Sequence, residues 1–487
     1  MKKILLAILA VVILVVAIVL VRTFTFHSLQ PETGSVTLPE FGSASADNLS
    51  RAIKFRTVSH EIGLPVDTTE FFGFRQFLAE AYPLIHANLS KEIFSGLSIL
   101  YTWEGDNPSL KPVVLTAHMD VVPAEETERW EQPPFSGYND GTFIWGRGTL
   151  DDKGALISIM ETVERLLHEG YRPERTIYLG FGHDEEIGGT MGAAVIAAEL
   201  SARGVEAAFL LDEGLAVTHG MVPMVEPAVA LIGSGEKGYL SVELRVEMDG
   251  GHSSTPERES ALTVLNAALW RIQRNPPKAF ISEPVRDFIR YVGPEMPFHG
   301  RAIFANTWLF KGLLLNIYQA SAGGNALVRT TMVPTIIGAG AKDNVIPTEA
   351  AAVLNARIIP GETAADILAH LERVISDERV RIKPLEGFTR DPSPVSPVDV
   401  PAFQTIANTI REVFPEVLVA PTMMLGASDA RHYALVSPNI YRFVPQFVTD
   451  EDLARYHGLN ERIRVDEFLR GIGFYYQLIR NLERMPD

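Results

Sequence analysis

The chain has 487 residues, 46% hydrophobic and 21% charged, the composition of a globular protein with two or three domains. A net charge of −17 makes a nucleic-acid backbone a poor partner. With no cysteine in the chain, disulfides, thiolate metal sites and cysteine nucleophiles are excluded, and the lack of a G-x-S-x-G stretch argues against a serine hydrolase.

The first predicted element is an uncharged apolar run over residues 4–21, after Lys2 and Lys3 and before Arg22. As a helix, its 18 residues span roughly 27 Å, close to the hydrocarbon thickness of a bilayer. Residues 1–22 therefore read as a membrane anchor. The positive-inside rule places the N-terminus in the cytoplasm and the bulk of a single-pass chain on the other side. A cleaved signal peptide is the competing reading, but its apolar region is normally shorter, and no small-residue cleavage motif directly follows Val21. Residues 23–46, rich in Ser, Thr, Gly and Pro, read as a linker.

Residues 47–238 alternate strands and helices. "PVVLTAHMD" (112–120), "RTIYLGFG" (175–182) and "GVEAAFLLDEG" (204–214) hold short apolar runs that end in polar residues. Between them, residues 151–170 carry helical spacing, with Leu156, Ile159, Met160, Val163 and Leu167 on one face and Gly170 as the stop. This predicts an α/β domain with a mixed, largely parallel sheet and helices on both faces. From residue 239 the pattern changes. "LSVELRVEM" alternates in period two, residues 259–273 form an amphipathic helix, residues 350–360 a strand and residues 364–375 a helix. An α+β domain is thus expected to be inserted at 239–376, with residues 377–487 returning to the first domain.

The chemistry-bearing residues sit just past predicted strands. His118 and Asp120 follow "VVLTA", Asp151 and Asp152 follow "FIWGRGTL", Glu185 and Glu186 follow "IYLGFG", and Asp212 and Glu213 follow "AAFLL". In a parallel α/β sheet, sites form at the C-terminal ends of strands. Carboxylates crowded this closely repel or protonate unless a cation joins them. With only N and O donors on offer, zinc is the default, with cobalt or manganese as alternatives. Two ions fit better than one, since two histidines and three carboxylates bring about −3 against +4 and a hydroxide brings the balance near neutral. Taken singly, "HMD" reads as structural and "DEE" as acids at a helix N-terminus. Their joint occurrence at successive strand ends is what points to a metal centre.

These stretches, with "HMDVVP" (118–123), "WGRGTLDDKG" (145–154), "DEEIGG" (184–189), "LDEG" (211–214), "GGHSSTP" (250–256), "NVIP" (344–347) and "YHGLNE" (456–461), lie in an order that resembles the aminoacylase/carboxypeptidase family of di-zinc metallopeptidases. The resemblance implies hydrolysis of an amide next to a free carboxylate, in N-acyl amino acids or small peptides. It also implies two zinc ions, held by His118, Asp151 as the bridge, Glu186, Asp212 and His457. Glu185 would be the general base acting on water and Asp120 the acid that orients His118. Asp184 and His183 have no ligand role in the pattern, and Gly188 and Gly189 would allow a tight turn. The inserted domain would be a lid and a surface for a homodimer, with His252 stabilising the oxyanion and Asn344 and Arg357 holding the substrate carboxylate. In "GASDARH" (426–432), His432 is set aside as a ligand in favour of His457. The anchor and the insertion over residues 275–324 resemble the branch of carboxypeptidase S and the N-fatty-acyl-amino-acid hydrolases. The apolar stretch 302–318 in that insertion reads either as the lining of an acyl pocket or as core of the lid.

Overall fold

The N-terminal apolar run is one helix, Lys2–Phe24, in a computed structural model that describes residues 1–61, 64 and 66–486. It is long and apolar enough to cross a membrane, and its apolar window is not buried against the rest of the chain. Its last turn is different. Thr23 is fully buried, Arg22 Nε donates to the Ala305 carbonyl at 3.1 Å, and the Asn306 amide donates to the Val19 carbonyl at 3.2 Å and to Thr23 Oγ1 at 3.3 Å. The expected linker is likewise no free tether. Phe26, Val36, Leu38 and Phe41 pack against the main core. The Gln30 side chain is bonded three times, accepting from Val419 N at 2.7 Å and donating to the carbonyls of Val419 and Tyr291. The segment lies along the body as a strap and ends in the helix Ser43–Ile53, which begins inside the expected linker.

The main sheet has the mixed α/β form read from the sequence. Its centre is parallel: Val113–His118 lies between Ile177–Gly182 and Phe209–Asp212, and the last of these pairs in parallel with Ile440–Arg442. The outer strands Ser98–Trp103 and Ser90–Phe94 add on antiparallel. On the other side Val229–Glu236 follows, with Leu418–Met424 parallel to it. Successive residues of a strand point to opposite faces, so Leu115 and Leu211 join one core layer while Val114 and Leu210 join the other. Helices Lys153–His168 and Val465–Asn481 cover the first face, and Ala193–Ala202 covers the second. The full burial of Val113–His118 explains its unbroken apolar run.

The lid is a four-stranded antiparallel sheet, in the order Thr331–Ala339, Glu349–Ile358, Gly238–Glu247 and Val380–Arg390. Helices Ala261–Arg274 and Ala364–Ile375 pack on one face, which is why Glu349–Ile358 buries every second residue. Two boundaries move. Val380–Arg390 belongs to the lid sheet, so the lid runs past the expected end at residue 376. The insertion belongs elsewhere: Val285, Ile289, Val292, Phe304, Leu314 and Val328 join the core of the main domain, not that of the lid. In the helix Thr307–Gln319 only Leu314 is buried, and none of its residues lines the large cavity between the main sheet and the lid, so the stretch serves neither as lid core nor as pocket wall.

Candidate metal centre

Each site residue is delivered by a strand end or a loop that the core holds in place. His118 closes its strand. Its Nδ1 donates to the Asp120 carbonyl at 2.9 Å, which leaves Nε2 facing Asp151 Oδ1 at 2.9 Å. The other Asp151 oxygen lies 3.1 Å from His457 Nε2, which is itself 3.3 Å from Glu186 Oε2. His457 stands on an exposed loop with positive φ of 57°. Two groups of donors result, each within 4.8 Å of one another: His118, Asp151 and Glu213, and Asp151, Glu186 and His457. Asp151 is common to both.

Here the structure departs from the sequence reading, which took Asp212 as the ligand. Asp212 ends the strand with its carboxylate turned into the interior, where Oδ2 accepts from Ala430 N at 2.7 Å. Glu213, one residue on, faces the cavity. Adjacent residues of an extended chain point to opposite sides, so only one of the pair can reach the site.

Asp120 does more than face His118. Its carboxylate lies 3.4 Å from His118 Nδ1 and also accepts the backbone N–H groups of Glu185, at 3.1 Å, and Glu186, at 3.2 Å. It therefore pins the short turn that aims both glutamates. Gly188 and Gly189 follow with φ of 110° and 65°. At Gly189 a Cβ would stand 1.9 Å from Asp429 Oδ1, so conformation and space both require glycine. Asp184 accepts from Met191 N at 2.7 Å, and His183 Nδ1 meets Ser98 Oγ at 2.6 Å, both buried and away from the donor groups.

The sequence reading missed three functional neighbours. Glu461, in "YHGLNE", is fully buried and accepts from Gly148 N and Leu150 N at 2.9 Å, Asp151 N at 3.3 Å and Arg147 Nη1 at 2.6 Å. It holds the loop that carries Asp151. Asp429 is buried beside Gly182 and Gly189. Arg431 donates to the carbonyls of Ser428 and Gly188, and its Nη1 lies 3.9 Å from Glu185 Oε1. All three lie in motifs visible in the sequence, but nothing in their spacing tells which partner each reaches.

The electrostatics are those of a buried cluster in which carboxyls outnumber the cationic groups beside them. Burial, followed by the charges of neighbouring acids, raises the carboxyls of Glu213 and Asp429 well above the usual range, and burial raises that of Asp152 with His118 opposing and Asp151 and Asp212 adding to it. Glu185 is also raised by burial, with His118 opposing and Asp429 and Glu186 adding to it. Burial works against a charged His118, but the hydrogen bonds it donates to Asp120 and Asp151 outweigh that and raise its pKa. Glu186 Oε1, Asp152 Oδ1 and both Asp429 oxygens are buried without a hydrogen-bond partner. Hard N and O donors in two groups with a shared carboxylate fit a pair of divalent ions.

A cavity of about 840 Å³ opens over this cluster and is lined by Glu185, Glu213, Tyr239 and Met424 and by three arginines, Arg357, Arg390 and Arg431. Arg357 stacks over Tyr239, 4.6 Å from the ring centre. His252 and Asn344 are elsewhere. They lie on the exposed two-stranded ribbon of Gly251–His252 and Val345–Ile346 or beside it, where Asn344 O accepts from Ser253 N. Neither lines the cavity.

A mixed, largely parallel α/β sheet with histidine and carboxylates gathered at its strand ends, under a lid, defines a metallohydrolase. Residues 114–481 match the peptidase family M20/M25/M40, and the chain belongs to that family. It is 39% identical to a probable carboxypeptidase S-like 2 of Dictyostelium discoideum, over 96% of this chain and 92% of the other. It is 39% identical to the N-fatty-acyl-amino acid synthase/hydrolase PM20D1 of Mus musculus, over 91% and 89%. The fold is similar to that of an M20 family metallo-carboxypeptidase, Sso-CP2, from Sulfolobus solfataricus, with a TM-score of 0.66 at 17% identity, covering 90% of this chain and 99% of that one. Human carnosine dipeptidase 1 follows with a TM-score of 0.60 at 15% identity, covering 91% and 96%. The reaction class is therefore hydrolysis of amide bonds in acyl amino acids or peptides.

Proposed function

We propose that this chain is a membrane-anchored, two-zinc hydrolase of N-acyl amino acids, facing the non-cytoplasmic side. The observation that carries the reading is the pair of donor groups sharing Asp151, with Glu185 beside them but in neither group and three arginines on the cavity wall. His118, Asp151 and Glu213 would hold one ion, and Asp151, Glu186 and His457 the other, with cobalt or manganese able to replace zinc. When bound, the ions would polarise the scissile carbonyl and make water acidic enough to lose a proton at neutral pH.

The remaining steps belong to the chain. Glu185 takes the proton from the attacking water, a C–O bond forms, and the same carboxyl returns the proton to the amine nitrogen as the C–N bond breaks. Asp120 holds Glu185 in place through its backbone. Arg357 and Arg390, which line the cavity, would receive the free carboxylate, for which guanidinium groups suit a two-point contact. The cavity volume lies toward the upper end of the range for small-molecule sites, which leaves room for an acyl chain. His252 and Asn344, remote from their own cavity, would act in the site of a second copy. The lid offers a surface for that dimer in its edge strand Thr331–Ala339, with Val333, Ile336 and Ile337 exposed. The bond from the Asn306 amide to the Val19 carbonyl supports an uncleaved anchor, since Val19 lies inside the apolar run and cleavage after that run would remove it from the fold.

The test is a substrate survey. The full-length protein in lipid nanodiscs, loaded with zinc, is incubated with a mixture of N-acyl amino acids and dipeptides, with and without chelator, and losses are read by mass spectrometry. Chelator-sensitive loss of long-chain N-acyl amino acids is expected. Loss of dipeptides alone would make the protein a peptidase, and no chelator-sensitive loss would sink the reading.

A further inference from the structure

We propose that the insertion helices Phe298–Ala305 and Thr307–Gln319 form a second membrane contact, an apolar platform that seats the catalytic body on the lipid surface. The proposal rests on the reading of Lys2–Phe24 as an uncleaved anchor, and it concerns what lies beside that anchor.

The helix Thr307–Gln319 is apolar on the wrong side for a soluble protein. Trp308 is 52% exposed, Leu309 45%, Leu313 46% and Ile317 51%. Leu309, Leu313 and Ile317 recur every four residues and so line one face, while Trp308, in the first turn, is exposed roughly 140° round from Leu313. Asn316 is the polar residue on that face, and it carries no charge. Lys311, the one charged residue of the helix, sits roughly 160° round from Leu313. Single exposed apolar residues are ordinary on a protein surface, but a contiguous set marks a contact. The set continues beyond this helix. Phe24 and Phe298 are both exposed with ring centres 5.9 Å apart, and exposed Met224 approaches Gly300.

The depth of this face is given by Asn306, which joins the two helices. Its amide donates to the Val19 carbonyl, inside the uncharged run of residues 4–21, and to Thr23 Oγ1. Trp308 Nε1 in turn donates to Asn306 Oδ1 at 3.3 Å. The helix Thr307–Gln319 therefore starts level with the last apolar turn of the membrane-length helix. A helix at that depth, with an uncharged apolar face and a tryptophan at its start, matches one that lies in the plane of the lipid interface. The face of Leu309, Leu313 and Ile317 itself carries no charged side chain, so the seat it offers is apolar and insensitive to salt.

The platform is also coupled to the site. Lys237, between the main-sheet strand Val229–Glu236 and the lid strand Gly238–Glu247, donates to the carbonyls of Ala326 and Arg329, just past the insertion, each at 2.9 Å. The membrane seat and the junction between body and lid are thus held together, which fixes how the cavity is presented to the bilayer.

The chain has no cysteine, so a single introduced thiol is labelled uniquely. The full-length protein carrying Leu313→Cys, labelled with an environment-sensitive fluorophore, is reconstituted into phosphatidylcholine vesicles with and without nitroxide-labelled lipid. Glu206→Cys, at a site with an 83% exposed side chain, is the control. The label on Leu313→Cys is expected to be quenched on the order of threefold more than the control, at low and high salt alike, as for a face buried in the headgroup and acyl boundary. Ile317→Cys repeats the measurement should the first label disturb folding. A protein that floats with the vesicles but shows no lipid quenching at either position overturns the platform and leaves the anchor standing. Protection from a water-soluble quencher without lipid quenching means that a second copy or another protein surface covers the face, and also overturns it. A protein that fails to float overturns the anchor and the platform together.

Discussion

Asp212 and Glu213 are neighbours of like chemistry, yet the strand sends one into the interior and the other to the cavity. Glu213→Gln is expected to lower bound metal from about two ions per chain to about one, because each ion depends on its own carboxylates. Asp212→Asn is expected to keep both, and elemental analysis of the purified variants decides between the two residues. Glu185→Gln should retain its metal while turnover falls by about 10²–10⁴-fold, since only the proton carrier is lost. Full activity in that variant would refute the assigned base. Lys237 gives a test by pH. Burial, with Arg357 nearby, depresses its pKa from 10.5 to about 8. Between those values the unfolded chain binds a proton that the folded chain does not, so wild-type stability should rise with pH across that window. Lys237→Met should lose that rise, and melting temperatures of the pair at pH 7.5 and 10, chosen as roughly the two ends of the window, will show it or not.

At the scale of elements, the loop bearing Asp151 has no regular structure of its own and depends on Glu461, which lies more than 300 residues away in sequence. Glu461→Gln leaves the buried Arg147 without its countercharge and is expected to cost about 3–5 kcal/mol, read as a drop in thermal stability. An unchanged melting temperature would mean that the loop is held by other means. This is also where sequence reading stopped short. The strand ends before His118 and after Gly182 were legible, because burial on both faces writes a continuous apolar run and the turn writes its glycines. Glu461 was legible only as a letter in a motif. Its role depends on which backbone N–H groups converge on it, and that is a property of packing. The helix Thr307–Gln319 was legible as apolar but not as exposed, because hydropathy reports what a side chain prefers and not what it meets.

For the whole molecule, the anchor and strap decide how the body is held. A chain beginning at residue 25 keeps Phe26 and Gln30 in place and is expected to lose membrane sedimentation while retaining kcat. A chain beginning at residue 43 also loses the three Gln30 bonds and the packing of Phe26, Val36, Leu38 and Phe41, and should be less stable by about 3–6 kcal/mol. Equal melting temperatures for the two truncations would return the strap to the status of a flexible linker. By itself the sequence determined the α/β class, the inserted lid, the membrane-length helix and the metal chemistry, since each rests on local periodicity or on residue types gathered at strand ends. Only the tertiary structure decided that Glu213 rather than Asp212 faces the site, that Val380–Arg390 completes the lid, and that the insertion belongs to the main body. Those choices turn on the side of a strand and on contacts between distant segments, and the free energy that makes them comes from burial, which no single stretch of chain carries alone.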